Sequence, residues 1–317
     1  MHKMVFLEWD SLPGTDLGSW QQLPVELQCY ANTMPAEVLL RAQAADILVV
    51  NKVRLNAAVL AQLPQLRLIC VTATGVNNID LAAARALGIL VCHAKDYALQ
   101  AVPQHAMAML LALVNQVLPY QQAIRAGQWS SSPMFCLLDY PIRQLANLKF
   151  CVLGYGGLGQ ATARLAAAFG MQVLIAERPD ASVIRPGRLS FRQALAEADV
   201  LSLHCPATAD NHHLLNAERL SWLKSDAIVL NTARGSLIDS EALVSALRNG
   251  QLAAAALDVL DVEPPPADHP LLQADIPGLL LSPHVGWASQ QAMQALICQT
   301  TENIQAFLAG SPIRQCN

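Results

Sequence analysis

The chain has 317 residues, past the roughly 250–300 at which a single hydrophobic core stops growing, so two lobes are expected. Hydrophobic residues make up 53% and charged residues only 14%, and the net charge of −4 is spread as interspersed acids and bases, which excludes the basic stripe a nucleic acid would need. No apolar run reaches the ~18 residues of a membrane span, no charged-then-apolar leader opens the chain, and eight scattered cysteines without a C-x-x-C pair fit a reduced, cytoplasmic protein holding no metal.

From the start to about residue 100, short β-rich runs alternate with helical ones. Strands are expected at Met4–Trp9, Ile47–Val50, Leu66–Val71 and Ile89–Cys92, with helices at Pro35–Ala44 and Asn56–Leu63. That alternation implies a parallel sheet. One long apolar helix is expected over Pro103–Leu118, and the stretch Gly127–Pro141, rich in serine, proline and aromatics, reads as a connector.

The alternation resumes at Phe150–Gly154 and continues with Gln172–Ala176, Val200–His204, Ala227–Asn231, Leu252–Asp258 and Leu279–Ser282. Leu158, Thr162, Leu165 and Phe169 follow helical spacing, Ser190-x-x-Gln193 reads as a capping box, and Asp239 with Gly250 brackets another helix. A final helix, Ser289–Leu308, is expected to pack back toward the first lobe.

The run CVLGYGGLGQ, Cys151 to Gln160, places Gly154-x-Gly156-x-x-Gly159 after a strand and at the opening of a helix near Gly157. In that context the first glycine permits a tight turn, the second admits a pyrophosphate and the third lets helix and strand pack closely. Phosphates then meet the helix N-terminus, where unpaired N–H groups favour anions. Glu177, 18 residues after Gly159, ends the next strand and can accept both ribose hydroxyls of NAD. It would repel the 2′-phosphate of NADP, although the adjacent Arg178 could pair with that phosphate. NAD is the expected cofactor, NADP the alternative.

Arg234, Glu263 and His284 each follow a strand beside glycine or proline, at the carboxyl ends where open α/β sheets bind ligands. They offer a planar carboxylate-binding fork, an acid and an imidazole. Such a set can supply the proton donor, carbonyl polariser and substrate anchor that hydride transfer needs.

These stretches together resemble the D-isomer-specific 2-hydroxyacid dehydrogenase family over essentially the whole chain. The matching runs are TATGVNNID (Thr72–Asp80), the glycine turn, VLSLHCP (Val200–Pro206), NTARG (Asn231–Gly235), ALDV (Ala256–Val259) with Glu263-Pro264, and SPHVGWAS (Ser282–Ser289). The closing Trp287-Ala288-Ser289 resembles the glycerate dehydrogenase (hydroxypyruvate reductase) subgroup.

The resemblance implies an α/β fold of two doubly wound parallel-sheet lobes. A Rossmann NAD-binding domain would span residues 102–287 and a flavodoxin-like substrate domain residues 1–101 plus 288–317. It implies reduction of a small 2-ketoacid, hydroxypyruvate or glyoxylate. His284 would be the general acid/base paired with Glu263, Arg234 would bind carboxylate and carbonyl, and backbone N–H groups of Thr74, Gly75 and Val76 would hold the carboxylate in a cleft between the lobes. Cofactor contacts are implied at Gly154, Gly156, Gly157, Leu158, Gly159, Glu177, Cys205, Pro206, Thr232, Ala233, Arg234, Asp258 (toward the carboxamide), His284 and Gly286, and a homodimer is implied as the assembly. Gln104 and Asn211 depart from common family residues, and His105, His204, His212 and His213 read as packing or loop residues. Glu263 argues against a formate dehydrogenase, whereas D-3-phosphoglycerate dehydrogenase and an NADH-sensing corepressor-like protein remain alternatives.

Overall fold

Runs of wholly buried, mostly apolar residues mark both sheets, as parallel strands covered on two faces require. The computed structural model describes residues 1–317 and divides them into two units, Met1–Tyr97 with Ala288–Asn317, and Ala98–Trp287. The first division falls at 97/98 rather than 101/102, because the helix that opens at Ala101 already belongs, with its entering turn, to the second unit.

In the first unit, β1 (His2–Phe6), β2 (Val25–Cys29), β3 (Ile47–Val50), β4 (Leu68–Val71) and β5 (Leu90–His93) form an all-parallel sheet in the order β2-β1-β3-β4-β5. This is the flavodoxin-like arrangement. Strand β2 has no counterpart among the expected elements: it lies at the sheet edge, is only partly buried, and carries no apolar run to announce it. The helix Gln290–Leu308, capped by the Ser289 hydroxyl, belongs to this unit, where the fully buried Trp20 donates its indole N–H to the Ile297 carbonyl at 3.2 Å.

In the second unit, β6 (Lys149–Leu153), β7 (Gln172–Ala176), β8 (Val200–Leu203), β9 (Ile228–Asn231), β10 (Ala254–Leu257) and β11 (Leu279–Leu281) are again all parallel, ordered β11-β10-β9-β8-β6-β7. The chain runs outward from β6 to β7 and then crosses to β8 on the other side of β6. The topological switch point therefore lies between β6 and β8, where such sheets open a crevice for a ligand.

The expected single helix over 103–118 is two helices, Ala101–Val114 and Val117–Arg125, bent by 57° at a break where Gln116 adopts φ 54°. A left-handed residue cannot continue a right-handed helix. Met107, Met109 and Leu110 from the first of these share a core with Ala254 and Ala256 of β10, whose small side chains leave room for them. No single helix is long and apolar enough to cross a membrane. The expected capping box at Ser190 is half formed: its hydroxyl accepts from Gln193 N–H at 3.3 Å, while the Gln193 side chain turns forward to Glu197 at 2.9 Å.

Candidate active site

The three turn glycines are needed for three different reasons. Gly154 sits at φ 97°, and a Cβ there would lie 2.5 Å from the Cys205 backbone nitrogen, so the turn after β6 is pressed against the end of β8. A Cβ on Gly159 would lie 2.0 Å from the Gly154 carbonyl oxygen, which only glycine avoids. A Cβ on Gly156, by contrast, would meet nothing within 4 Å. Its bare backbone faces open space beside the helix Gly157–Ala168, whose first N–H groups, those of Gly157 and Leu158, have no helical carbonyl to bond.

That is the shape and polarity a pyrophosphate needs. The Thr232 hydroxyl, just past β9, is buried without a hydrogen-bond partner, a polar atom the protein alone leaves unsatisfied. The residues present therefore fit a dinucleotide along the carboxyl ends of β6, β8 and β9. Cys205 and Pro206 follow β8 at the same edge, and Asn211 staples that turn by donating to the Pro206 carbonyl and accepting from Thr208 N–H, both at 2.7 Å.

Glu177 differs from expectation. Its carboxylate is only 2% exposed and is gripped by Arg185, with Nε 2.6 Å from one oxygen and Nη2 2.5 Å from the other. Arg188 Nε stands 3.8 Å away, and the Arg178 N–H donates at 3.0 Å. The bonds from Arg185 hold the carboxyl at about 2. The sequence pointed to Arg178 as the neighbouring cation, whereas Arg185 and Arg188 reach the acid from farther along the chain.

The other half of the sheet carries the second group. Buried Asn231, ending β9, ties the following turn by accepting from Ala233 N–H at 3.0 Å and donating to the Arg234 carbonyl at 2.8 Å. The next residue, Gly235, packs so closely on the Leu260–Asp261 backbone that a Cβ would sit 1.8 Å from the Leu260 carbonyl carbon. This brings the Arg234 turn against the loop leading to Glu263. One Glu263 oxygen accepts from Leu260 N–H at 2.9 Å and the other meets His284 Nδ1 at 2.6 Å. His284 Nε2 has no partner within the protein.

His284 itself holds a left-handed conformation, φ 55°, which costs a non-glycine residue about 1–2 kcal/mol and persists only where neighbours fix it. The fixing group is Asp258. Its carbonyl accepts from His284 N–H at 2.8 Å, and its carboxylate accepts from Ser282 Oγ at 2.6 Å, Val285 N–H at 2.9 Å and Gly286 N–H at 2.8 Å. Burial works to raise the Asp258 carboxyl, and the bonds from His105, Ser282, Gly286 and Val285 outweigh it, leaving the group below the usual carboxylate range. Asp258 and the Gly286 N–H, both expected at the cofactor, are thus engaged with each other. His105, expected as a packing residue, joins this network through Ser282 Oγ at 2.8 Å. Helical position alone gives no sign of that bond.

In the first unit, Thr74, Gly75 and Val76 follow β4. The Thr74 carbonyl meets His93 Nδ1 at 2.8 Å, and Asn78 Nδ2 ties the turn to the Val53 carbonyl at 2.9 Å. The N–H groups of residues 74 to 76 make no bond inside the fold.

A family model described as D-isomer specific 2-hydroxyacid dehydrogenase, NAD binding domain, matches residues 107–286. The chain is 41% identical to the glycerate dehydrogenase of Methylorubrum extorquens over 98% of this chain and 97% of that one. It is 34% identical to the hydroxypyruvate reductase of Blautia hydrogenotrophica, covering 99% of each. Among solved structures, the TT0316 protein of Thermus thermophilus superposes with a TM-score of 0.89 at 36% identity, over 99% of this chain and 100% of that one. The glycine turn, the histidine–glutamate pair and these likenesses agree, and the chain belongs to the D-isomer-specific 2-hydroxyacid dehydrogenase family of nicotinamide-dependent oxidoreductases.

Proposed function

We propose that this enzyme reduces hydroxypyruvate to D-glycerate and glyoxylate to glycolate, as the names of its relatives suggest. The observation that carries the reading is the 2.6 Å bond between His284 Nδ1 and Glu263. A carboxylate on Nδ1 fixes the ring's orientation and holds a proton on that nitrogen, which turns Nε2 toward the substrate as the donor. The Nε2 proton goes to the carbonyl oxygen as negative charge builds there. When bound, the dinucleotide supplies the hydride for the carbonyl carbon.

Arg234 grips the substrate carboxylate through its planar fork and polarises the carbonyl. The N–H groups of Thr74, Gly75 and Val76, which make no bond inside the fold, suit a carboxylate. Beside His284 and Glu263 lies a cavity of about 420 Å³ walled by Leu260, Pro264, Leu281 and Pro283, which gives the proton donor an apolar neighbour. The protein works as a homodimer: Trp129, Met134, Phe135 and Leu138 are exposed apolar residues on one connector, with Phe135 89% exposed, and a second copy would cover them. Light scattering after gel filtration should give twice the chain mass.

The experiment is a reduction assay with NADH and NADPH across glyoxylate, hydroxypyruvate, pyruvate and a bulky 2-ketoacid. Hydroxypyruvate and glyoxylate should lead. No turnover with any of them would favour a dinucleotide sensor instead.

A further inference from the structure

We propose that the arginine-rich corner after β7 binds the 2′-phosphate of a phosphorylated dinucleotide, with Arg185, held by Glu177, as the principal ligand and Arg188 beside it; this rests on the dehydrogenase reading above and names the cofactor form that the same site takes. An acid at the end of this strand reads ribose hydroxyls with its lone pairs and repels a phosphate with its charge. Glu177 has neither to spare.

The loop is closed by its own pairing. Glu177 N–H donates to the Leu189 carbonyl and Leu189 N–H to the Ile175 carbonyl, both at 2.9 Å, which returns residues 185 and 188 to the side of residue 177. Arg185 then meets the buried carboxylate edge-on, through Nε and Nη2 at 2.6 and 2.5 Å. A guanidinium carries five N–H donors in one plane, so this pairing leaves the Nη1 edge uncommitted, on a side chain that is 51% exposed.

Anchoring also orders the arginine in advance. A flexible side chain loses rotamer freedom when it clamps a ligand, and a buried carboxylate has already removed that freedom here. The outer edge of the fork matches a phosphate bidentately.

The surroundings carry the same sign. Between Glu177 and Arg188 the loop has three arginines (178, 185, 188) against two acids (177, 180). Arg178 also lines a depression of about 260 Å³ with Arg192 and Arg219 from the two neighbouring helices, and only Asp180 opposes them there. A phosphate monoester, close to doubly negative at neutral pH, is drawn to such a corner.

Calorimetry on the full-length protein tests this without turnover, using adenosine 2′,5′-bisphosphate and adenosine 5′-monophosphate as probes and inorganic phosphate as the control. The bisphosphate should bind about tenfold tighter or more at low salt, the margin should shrink at high salt, and inorganic phosphate should not displace it. Arg185→Ala alone would strand a buried carboxylate, so the informative variant is Arg185→Ala with Glu177→Gln, in which the preference should fall to about one. Equal or tighter binding of the monophosphate, a preference that survives in the double variant, or no binding of either probe would overturn the proposal. Turnover of hydroxypyruvate with NADH but no bisphosphate preference would sink this inference and leave the dehydrogenase reading standing. A bisphosphate preference without turnover of any 2-ketoacid would do the reverse.

Discussion

Glu177 and Glu263 follow β7 and β10 of one parallel sheet, and what occupies their oxygens separates them. Glu177 is 2% exposed and meets Arg185, whereas Glu263 is 34% exposed and meets His284. A guanidinium never releases its proton, so a carboxylate beside it can only hold and orient. An imidazole can give up a proton from one nitrogen while a carboxylate holds the other, so the carboxylate beside it orients a proton donor. The partner, more than the acid, decides the role.

Breaking each half separately sharpens the contrast. The largest effect is expected on the glycine turn that anchors the Glu177 half. Gly159→Ala, forced 2.0 Å from the Gly154 carbonyl, should cost more than about 4 kcal/mol of stability in denaturant melts. Gly156→Ala meets nothing within 4 Å, so it should melt like the parent and yet bind dinucleotide about tenfold more weakly by calorimetry.

On the other half, Arg234→Lys keeps a positive charge and loses the fork. Its kcat/KM for hydroxypyruvate should fall about 10²–10³-fold in steady-state assays, with dinucleotide affinity preserved. Glu263→Gln should lower kcat about tenfold or more, part of the ~10²–10⁴ that a positioned acid contributes, again with dinucleotide binding intact.

The smallest effect extends the comparison to histidines. His204, at the end of β8, has only the Ser202 hydroxyl at 2.8 Å, and burial pushes its imidazole down to about 4. Its folded form stays neutral while the unfolded chain takes up a proton below ~6.5, so the stability it contributes is full above that pH and is lost as pH falls toward the folded value. Between about pH 7 and 5.5 melting should report a loss of about 1 kcal/mol, and His204→Gln should flatten that slope.

Much of this contrast was legible in the sequence. The glycine turn was, because Gly154 and Gly159 meet separate steric demands and Gly156 leaves room for a ligand, in a fixed order after a strand. Arg234, Glu263 and His284 were, because strand ends beside glycine or proline point to the carboxyl edge of the sheet. The pairing of Glu177 with Arg185 was not, since it depends on Leu189 returning beside Ile175, a register that no local pattern encodes. Edge strand β2 and the break at Gln116 were hidden for related reasons: one has no buried face, and the other turns on a single backbone angle. The service of Asp258 to the His284 loop was hidden too, because only the fold brings its carboxylate to the Val285 and Gly286 N–H groups.

The most direct measurement compares His284→Ala with the parent in two assays on the same preparation: the rate of hydroxypyruvate reduction and the affinity for the dinucleotide. If His284 is the proton donor held by Glu263, reduction falls at least about 10²-fold while the dinucleotide binds as before. A variant that still reduces hydroxypyruvate at the parental rate, or that loses dinucleotide binding along with turnover, would contradict it.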